Sequence, residues 1–309
     1  MVRRTLASRP LVAVTQACRE VIGCPGVAFS LLRPIPVSPR VRARIERLEI
    51  PWNRYGLDPY GIDREELARF FTLLEFFYER YFRVTTAGLR HVPTRGRAML
   101  VGNHSGGWAV DALMVIASVF FDLEPPRLAQ GMAEKFLERL PFFAQATSRL
   151  GQFPGLPDNA RRLLEDDRLL MVFPEGARGT AKTFFERDGL VRFGTGFLRL
   201  ALETGTPIVP FAFVGGGEAI PTITNLERLG RWLGVPYVPV TPYLLPLPLP
   251  VHVVLVYGEP MRFEGTGREA DDVVVGWVDD VKRRIADLIR KGREIRRGRL
   301  AVSALEEAR

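Results

Sequence analysis

The chain has 309 residues, of which 47% are hydrophobic and 25% are charged, and its formal net charge at pH 7 is +8. This hydrophobic fraction excludes an intrinsically disordered chain and is enough to build a substantial buried core. Two cysteines, Cys18 and Cys24, exclude a disulfide framework, and their spacing matches no common metal-binding motif.

The positive charge is concentrated at the two ends of the chain. Residues 1–54 carry ten arginines and three acidic residues, and residues 281–309 carry ten basic and four acidic residues, so the middle is mildly acidic. Two basic ends predict contact with something anionic, and both a phospholipid surface and nucleic acid fit this charge.

The first 60 residues are predicted to form a basic helical arm and a linker. A moderately amphipathic helix is expected over 6–22, and prolines 34, 36 and 39 mark the linker. Residues 40–48 have charges at nearly every other position and predict a short exposed helix. The apolar run at 11–15 is too short for a signal peptide, so none is predicted.

From residue 61 to residue 290, apolar strands alternate with helical patterns, which predicts an α/β fold with a mixed, largely parallel sheet flanked by helices. Asp63 is the predicted N-cap of the first helix, and Asp158 that of a short later one. Residues 291–309 are predicted to form a basic C-terminal tail after an amphipathic helix. Strands are expected at 83–86, 98–101, 128–130, 169–173, 208–214 and 251–257, and helices at 63–82, 109–121, 133–140, 142–150, 158–164, 194–204, 226–233 and 273–289.

A polar, flexible turn follows the strand predicted at 98–101. It contains Asn103-His104-Ser105-Gly106-Gly107, and Asp111 lies in the first turn of the next predicted helix. Turns at the carboxyl ends of strands in α/β sheets are common ligand sites. The alternative interpretation is that His104 only caps the turn and Asp111 only complements the helix dipole.

A second loop, at 174–180, follows the strand predicted at 169–173. It combines Glu175, Arg178 and Thr180 with two glycines, Gly176 and Gly179. Glycines allow close approach of the backbone, and an arginine fork suits a phosphate or a carboxylate. The alternative interpretation is a surface turn whose charges pair with each other.

Together, the Asn-His-Ser-Gly-Gly…Asp block and the Phe-Pro-Glu-Gly-x-Arg block resemble the glycerolipid and lysophospholipid acyltransferase superfamily, in particular the 1-acylglycerol-3-phosphate acyltransferases. The sequence Pro207-Ile208-Val209-Pro210 is similar to a further block of that family, and the resemblance covers residues 85–262. It implies that residues 61–290 form an acyltransferase domain.

The chain departs from the family pattern in two places. Six residues separate His104 from Asp111, where the family usually has four. The family's second block usually carries an arginine that helps to hold the acceptor, but residues 150–155 contain none. The second departure leaves the head group of the acceptor open.

The resemblance implies transfer of a fatty acyl group from an acyl thioester to a hydroxyl of a lysophospholipid or glycerol derivative. His104 would be the general base, oriented by Asp111. Glu175, Gly176, Arg178 and Thr180 would bind the acceptor. Backbone N–H groups near Gly106 and Gly107, or in the Gly176 turn, could stabilise the oxyanion. The donor would be acyl-CoA or acyl carrier protein as co-substrate, and neither a metal nor another cofactor is expected.

Two other functions are compatible with parts of the sequence. A lipid hydrolase could use Ser105 as nucleophile, although the Gly-x-Ser-x-Gly motif is absent because position 103 is Asn. Alternatively, the basic C-terminal helix could form a module that binds an anionic surface or nucleic acid. Nucleic acid is the less favoured partner because no known nucleic-acid-binding motif accompanies these charges.

The substrate class implies peripheral or monotopic attachment to the cytoplasmic face of a membrane. The sequence contains no uncharged apolar stretch of helical character long enough to span a bilayer. The stretch 243–249 places leucines among prolines, which is an unusually apolar composition for a loop. We expect this loop either to pack over the domain or to insert into lipid, and the basic ends to meet anionic head groups.

Overall fold

The computed structural model describes residues 32–307 except 33, 106–109, 134–142, 188, 234 and 245–246. The helix predicted at 6–22, most of the helix predicted at 133–140, and the oxyanion candidates Gly106 and Gly107 lie outside the described residues.

Seven strands form a mixed, largely parallel sheet, which confirms the predicted fold class. Their order is β1-β9-β6-β2-β5-β3-β4. The five strands from β6 to β4 run parallel, whereas β9 is antiparallel to β6 and β1 is parallel to β9. The strands are β1 Thr85–Ala87, β2 Ala98–Gly102, β3 Ala129–Ala133, β4 Phe153–Pro154, β5 Leu169–Val172, β6 Ile208–Val214 and β9 Val254–Tyr257, and a separate antiparallel pair is β7 Thr224–Leu226 with β8 Val238–Val240.

Helices cover the sheet, and most begin within two residues of their predicted positions. The helices are α1 Pro39–Glu46, α2 Arg64–Phe76, α3 Val110–Phe121, α4 Phe143–Arg149, α5 Pro157–Glu165, α6 Ala177–Thr180, α7 Gly196–Thr204, α8 Gly216–Ala219, α9 Glu227–Leu233, α10 Asp271–Arg296 and α11 Ser303–Glu307. Among the described residues, no helix has both the length and the apolar character needed to cross a bilayer.

The two predicted N-caps had different outcomes. Asp63 caps α2 as predicted, since its carboxylate accepts hydrogen bonds from the N–H groups of Glu65 and Glu66 at 3.0 and 3.1 Å. The prediction for Asp158 was wrong, because α5 starts with Pro157 and its N-cap residue is Leu156. Proline suits the first helical position because its missing N–H would have no partner there.

Helix α1 was predicted to be exposed, but one of its faces is buried in the core through Val41 and Ile45. Arg44 on the same face donates to the carbonyl oxygens of Phe120 and Leu123 at 2.6 and 2.8 Å. These carbonyls lie at the carboxyl end of α3, where orphan acceptors and the helix dipole favour a cation. Helix α1 thus stabilises the helix that carries Asp111.

Helix α10 packs on β6 and β9 through an apolar face that includes Val274, Val278, Val281 and Ile285. It continues to Arg296 and therefore runs past the boundary predicted at residue 290.

The centre of the sheet places three strand ends side by side. Strand β2 lies between β6 and β5, and Val101 is in register with Pro210 of β6 and Val172 of β5. Because these three strands are parallel, the loops that follow them emerge at one edge of the sheet. The two motif loops therefore meet there.

Candidate active site

His104 and Asp111 form a buried pair at this edge. The Nδ1 atom of His104 lies 2.8 Å from Oδ2 of Asp111, and the two residues are only 8% and 1% exposed. The pairing confirms that Asp111 reaches His104 across the six intervening residues. A carboxylate on Nδ1 fixes the tautomer that carries its proton there, so Nε2 is left as the proton acceptor.

Asp111 is held as a carboxylate by its surroundings. Burial alone would raise its pKa, but the imidazole of His104 and the N–H groups of Ser105 and Ala112 outweigh burial and lower the pKa below its ordinary value. The Ser105 N–H donates to Oδ2 at 3.0 Å and the Ala112 N–H donates to Oδ1 at 2.8 Å. The group beside the imidazole is therefore an anion at neutral pH.

Two residues that were not predicted as site residues orient the histidine loop. The Asn103 amide both donates to and accepts from the backbone of Phe213, at 3.0 and 2.9 Å, and so fastens the loop to β6. The ring of Phe173 stacks on the imidazole, with 4.0 Å between centroids. Phe173 follows Val172, the register partner of Val101, so strand register was the signal that could have identified it.

Glu175 contacts the main chain of His104. Its Oε1 accepts the His104 N–H at 3.0 Å, while Oε2 accepts the Val191 N–H at 3.0 Å and lies 2.6 Å from Nζ of Lys182. The residue is 1% exposed. Protein donors contact both oxygens, so the carboxylate holds the backbone around His104 in place.

Lys182 completes a clamp on the same histidine, and sequence reasoning missed it. Its ammonium donates to the carbonyl oxygen of His104 at 2.8 Å while it pairs with Glu175. Burial lowers the pKa of Lys182 below its ordinary value, although the charge of Glu175 opposes this shift. We call Glu175 and Lys182 the main-chain clamp, because together they bind both backbone polar groups of His104. A single lysine in a loop carries no pattern that would have predicted this contact.

Glycines permit this close packing. A Cβ atom on Gly179 would lie 2.6 Å from Cβ of Glu175 and 2.7 Å from Cβ of His104. Gly176 has φ 56°, a conformation that favours glycine. The Gly176 N–H already donates to the carbonyl of Phe173 at 3.0 Å, so this N–H is not free to stabilise an oxyanion.

The remaining predicted acceptor residues lie in α6. Arg178 is exposed, and no side chain or backbone group of the described residues pairs with its guanidinium. The hydroxyl of Thr180 donates within its own helix, to the carbonyl of Ala177 at 2.9 Å. Arg178 is therefore the member of this set that is open to a ligand.

The geometry does not support Ser105 as a nucleophile. Its hydroxyl lies 3.5 Å from Oδ2 of Asp111, the residue is 3% exposed, and its neighbour His104 is bonded to Asp111 instead. A serine nucleophile needs an imidazole within hydrogen-bonding reach. No such bond joins Ser105 and His104 in the described part of the chain.

Comparisons with known proteins agree with the motif resemblance. An uncharacterized protein of Mycobacterium tuberculosis is 35% identical over 233 residues, which are 72% of this chain and 64% of that protein. The 1-acyl-sn-glycerol-3-phosphate acyltransferase of Haemophilus influenzae is 26% identical over 147 residues, which are 44% of this chain and 52% of that enzyme. The chain thus spans less than two thirds of the length of these relatives.

Among solved structures, the 1-acyl-sn-glycerophosphate acyltransferase PlsC of Thermotoga maritima aligns with a TM-score of 0.47 and 20% identity, over 73% of this chain and 83% of PlsC. Residues 83–214, which contain both motif loops, match the sequence model of the family described as Acyltransferase. Residues 83–214 thus belong to the Acyltransferase family, and the two blocks that resemble the glycerolipid and lysophospholipid acyltransferase superfamily fall within them.

Proposed function

We propose that the protein transfers a fatty acyl group from a thioester donor to a hydroxyl of a lysophospholipid or related glycerol derivative. The observation that carries this proposal is the buried His104–Asp111 pair, with 2.8 Å between Nδ1 and the carboxylate. It leaves Nε2 without a hydrogen bond to any described residue, at the strand edge where ligands bind in α/β sheets.

In the proposed reaction, Nε2 of His104 removes the proton from the acceptor hydroxyl while its oxygen attacks the thioester carbonyl. The tetrahedral intermediate collapses with cleavage of the C–S bond, and the imidazolium returns the proton to the leaving thiolate. Asp111 stabilises the imidazolium between these steps. No covalent enzyme intermediate is needed, since positioning of the two substrates supplies much of the rate.

The acceptor is proposed to meet Arg178, which is exposed on α6 beside the clamp. An exposed guanidinium suits a phosphate head group. Gly106 and Gly107 remain the proposed oxyanion donors, because the Gly176 N–H is already bonded. Acyl-CoA and acyl carrier protein are both suitable donors.

Peripheral or monotopic attachment to the cytoplasmic membrane face is part of the proposal. Large apolar side chains are exposed on α9 and on the loop after β8: Trp232 is 82% exposed, Leu244 80% and Leu247 63%. Phe185 is 80% exposed as well, and the N–H of the neighbouring Phe184 donates to the carbonyl of Thr222 just before β7. Large exposed apolar side chains suit insertion into the acyl region of one leaflet.

The activity test uses one radiolabelled acyl thioester and a panel of acceptors: lysophosphatidate, glycerol 3-phosphate, another lysophospholipid and a neutral glyceride. His104→Ala should lower turnover by at least about a hundredfold, because general-base catalysis is lost. His91→Ala is the control, since His91 contacts the carbonyl of Tyr257 and not the site. Full activity in His104→Ala would exclude the mechanism.

The acceptor contact is tested with Arg178→Ala. Loss of a charge-assisted contact should raise the Michaelis constant of a phosphate-bearing acceptor by about ten- to a hundredfold and leave that of a neutral glyceride unchanged. An unchanged constant for every acceptor would remove Arg178 from the acceptor site.

Membrane attachment is tested by vesicle flotation. If Leu244 and Leu247 insert, Leu244→Asp with Leu247→Asp should weaken binding to anionic vesicles even at high salt. If charge dominates, high salt alone should release the wild-type protein. Absence of wild-type binding at low salt would contradict both forms of the proposal.

A further inference from the structure

A basic groove of about 870 Å³ runs along α10. Four cationic side chains line it, Lys282, Arg283, Arg290 and Arg293, together with one acidic side chain, Asp279. The spacing of these residues by three, four or seven positions keeps them on neighbouring stripes of the helix. The residues that line the groove therefore carry four positive charges and one negative charge.

Small residues of the helix leave room between these cations. Gly276 and Ala286 line the groove, and a Cβ atom on Gly276 would meet no other atom within 4 Å. Among the described residues, Arg283 pairs with Asp280 and Arg290 with Asp287 of the same helix. Exposed pairs of this kind contribute little to stability, so these arginines can rearrange to bind a more highly charged anion.

One end of the groove adjoins the active site. Leu190, which lines the groove, precedes Val191, whose N–H donates to Glu175 of the main-chain clamp. The ammonium of Lys282 lies 5.7 Å from the ring centroid of Phe193 in the same segment. The charge of Lys282 also contributes to lowering the pKa of Lys182, the clamp residue that contacts His104.

We propose that this groove binds a phosphate group of one of the two acyl-transfer substrates. The inference rests on the proposed function, which brings a phosphate to the site from the nucleotide end of coenzyme A, from the acceptor head group, or from both. A groove lined by cations suits a compact phosphate ester, whereas a bilayer presents a flat surface. The groove thus adds a binding site for phosphate at the wall of the active site, on a helix outside the two motif loops.

Direct binding tests this inference without turnover. Isothermal titration at one fixed salt concentration would use adenosine 3′,5′-bisphosphate as the donor probe and glycerol 3-phosphate as the acceptor probe. The groove variant is Lys282→Gln with Arg290→Gln. The control is Arg284→Gln with Arg297→Gln, which removes the same charge from α10 and its C-cap at residues that do not line the groove.

We expect at least one probe to bind the wild type, and its Kd to rise tenfold or more in the groove variant but less than threefold in the control. The probe that is affected identifies the source of the phosphate. Absence of binding to the wild type, or an equal change in both variants, would overturn the inference. The inference would also be overturned if the groove variant bound both probes as the wild type does and lost only its binding to anionic vesicles.

The experiments distinguish failure of the groove inference from failure of the proposed function. If the groove binds phosphate but no acyl transfer is detected with any acceptor, the proposed reaction fails and the phosphate site stands. If acyl transfer proceeds and both Michaelis constants are the same in the groove variant as in the control, the groove inference fails and the reaction stands.

Discussion

Two carboxylates meet His104, one from a helix and one from a loop, and their contacts differ. Asp111, from the helix after β2, binds the imidazole ring at Nδ1. Glu175, from the loop after β5, binds the backbone N–H of the same histidine and pairs with Lys182. One carboxylate thus acts on the group that moves a proton, and the other on the backbone that positions this group.

This difference separates chemistry from positioning within one site. Asp111, which we call the ring partner, should govern the rate of proton transfer. The main-chain clamp should govern both the stability of the loop and the placement of the imidazole ring. Variants of each partner can therefore be compared on two measurements, turnover and unfolding free energy.

Among variants of the two carboxylates and their partners, Asp111→Asn should have the largest effect on turnover. The substitution keeps the size of the side chain but removes the charge that stabilises the imidazolium, so kcat should fall by about three to four orders of magnitude. Single-turnover acyl transfer measures this loss. A drop below about tenfold would show that the ring partner has no role in proton transfer.

Lys182→Met should have the largest effect on stability. It leaves the carboxylate of Glu175 buried without its charged partner, which costs about 3–5 kcal/mol, and it removes the donor to the His104 carbonyl. Urea unfolding measures the cost. The double variant Glu175→Gln with Lys182→Met should recover part of it, because no uncompensated charge remains.

If Lys182→Met unfolded at the same urea concentration as the wild type, the ion pair would contribute nothing to the loop. If it lost stability but kept its kcat, the clamp would stabilise the fold without positioning the ring. Either result would contradict the assignment of proton transfer to Asp111 and of positioning to Glu175.

Gly179→Ala is expected to have an intermediate effect. The added Cβ would overlap with Cβ of both Glu175 and His104, so the loops must separate by a few tenths of an ångström or more. A displacement of this kind can lower kcat by about a hundredfold. Gly196→Ala is the matched control, since a Cβ there meets no other atom within 4 Å. Equal kcat values for the two variants would contradict the steric argument.

The sequence predicted the ring partner but not the main-chain clamp. The pairing of His104 with Asp111 follows from two motif positions on one strand–turn–helix unit, so local pattern was sufficient. Strand β6 has the bounds predicted for it, because an uninterrupted apolar run shows where a buried parallel strand lies.

The contacts of Glu175 and Lys182 depend on strand order. Nothing in the local pattern shows that β5 is next to β2, and only this adjacency brings the loop after β5 under the backbone of His104. The buried face of α1 has the same origin, since Arg44 reaches carbonyls near the end of α3 that are distant in sequence. Charge pattern alone had predicted that helix to be exposed.

The smallest expected effect is a pH dependence of stability that belongs to Asp111 alone. Its pKa is lower in the folded protein than in the unfolded chain, because the charge and hydrogen bond of His104 and two backbone N–H groups outweigh the opposing effect of burial. The unfolded chain therefore binds the proton more readily as the pH falls. The stabilisation is present above the unfolded pKa and is lost as the pH falls through the folded pKa.

Asp111→Asn lacks this titrating group, so as the pH falls below about 4, the ordinary pKa of an aspartate, the unfolding free energy of the wild type should fall more steeply than that of the variant. Urea titrations of both proteins across this range measure the two slopes. Parallel slopes for wild type and Asp111→Asn would mean that the carboxylate beside the imidazole gains no stability from its charge.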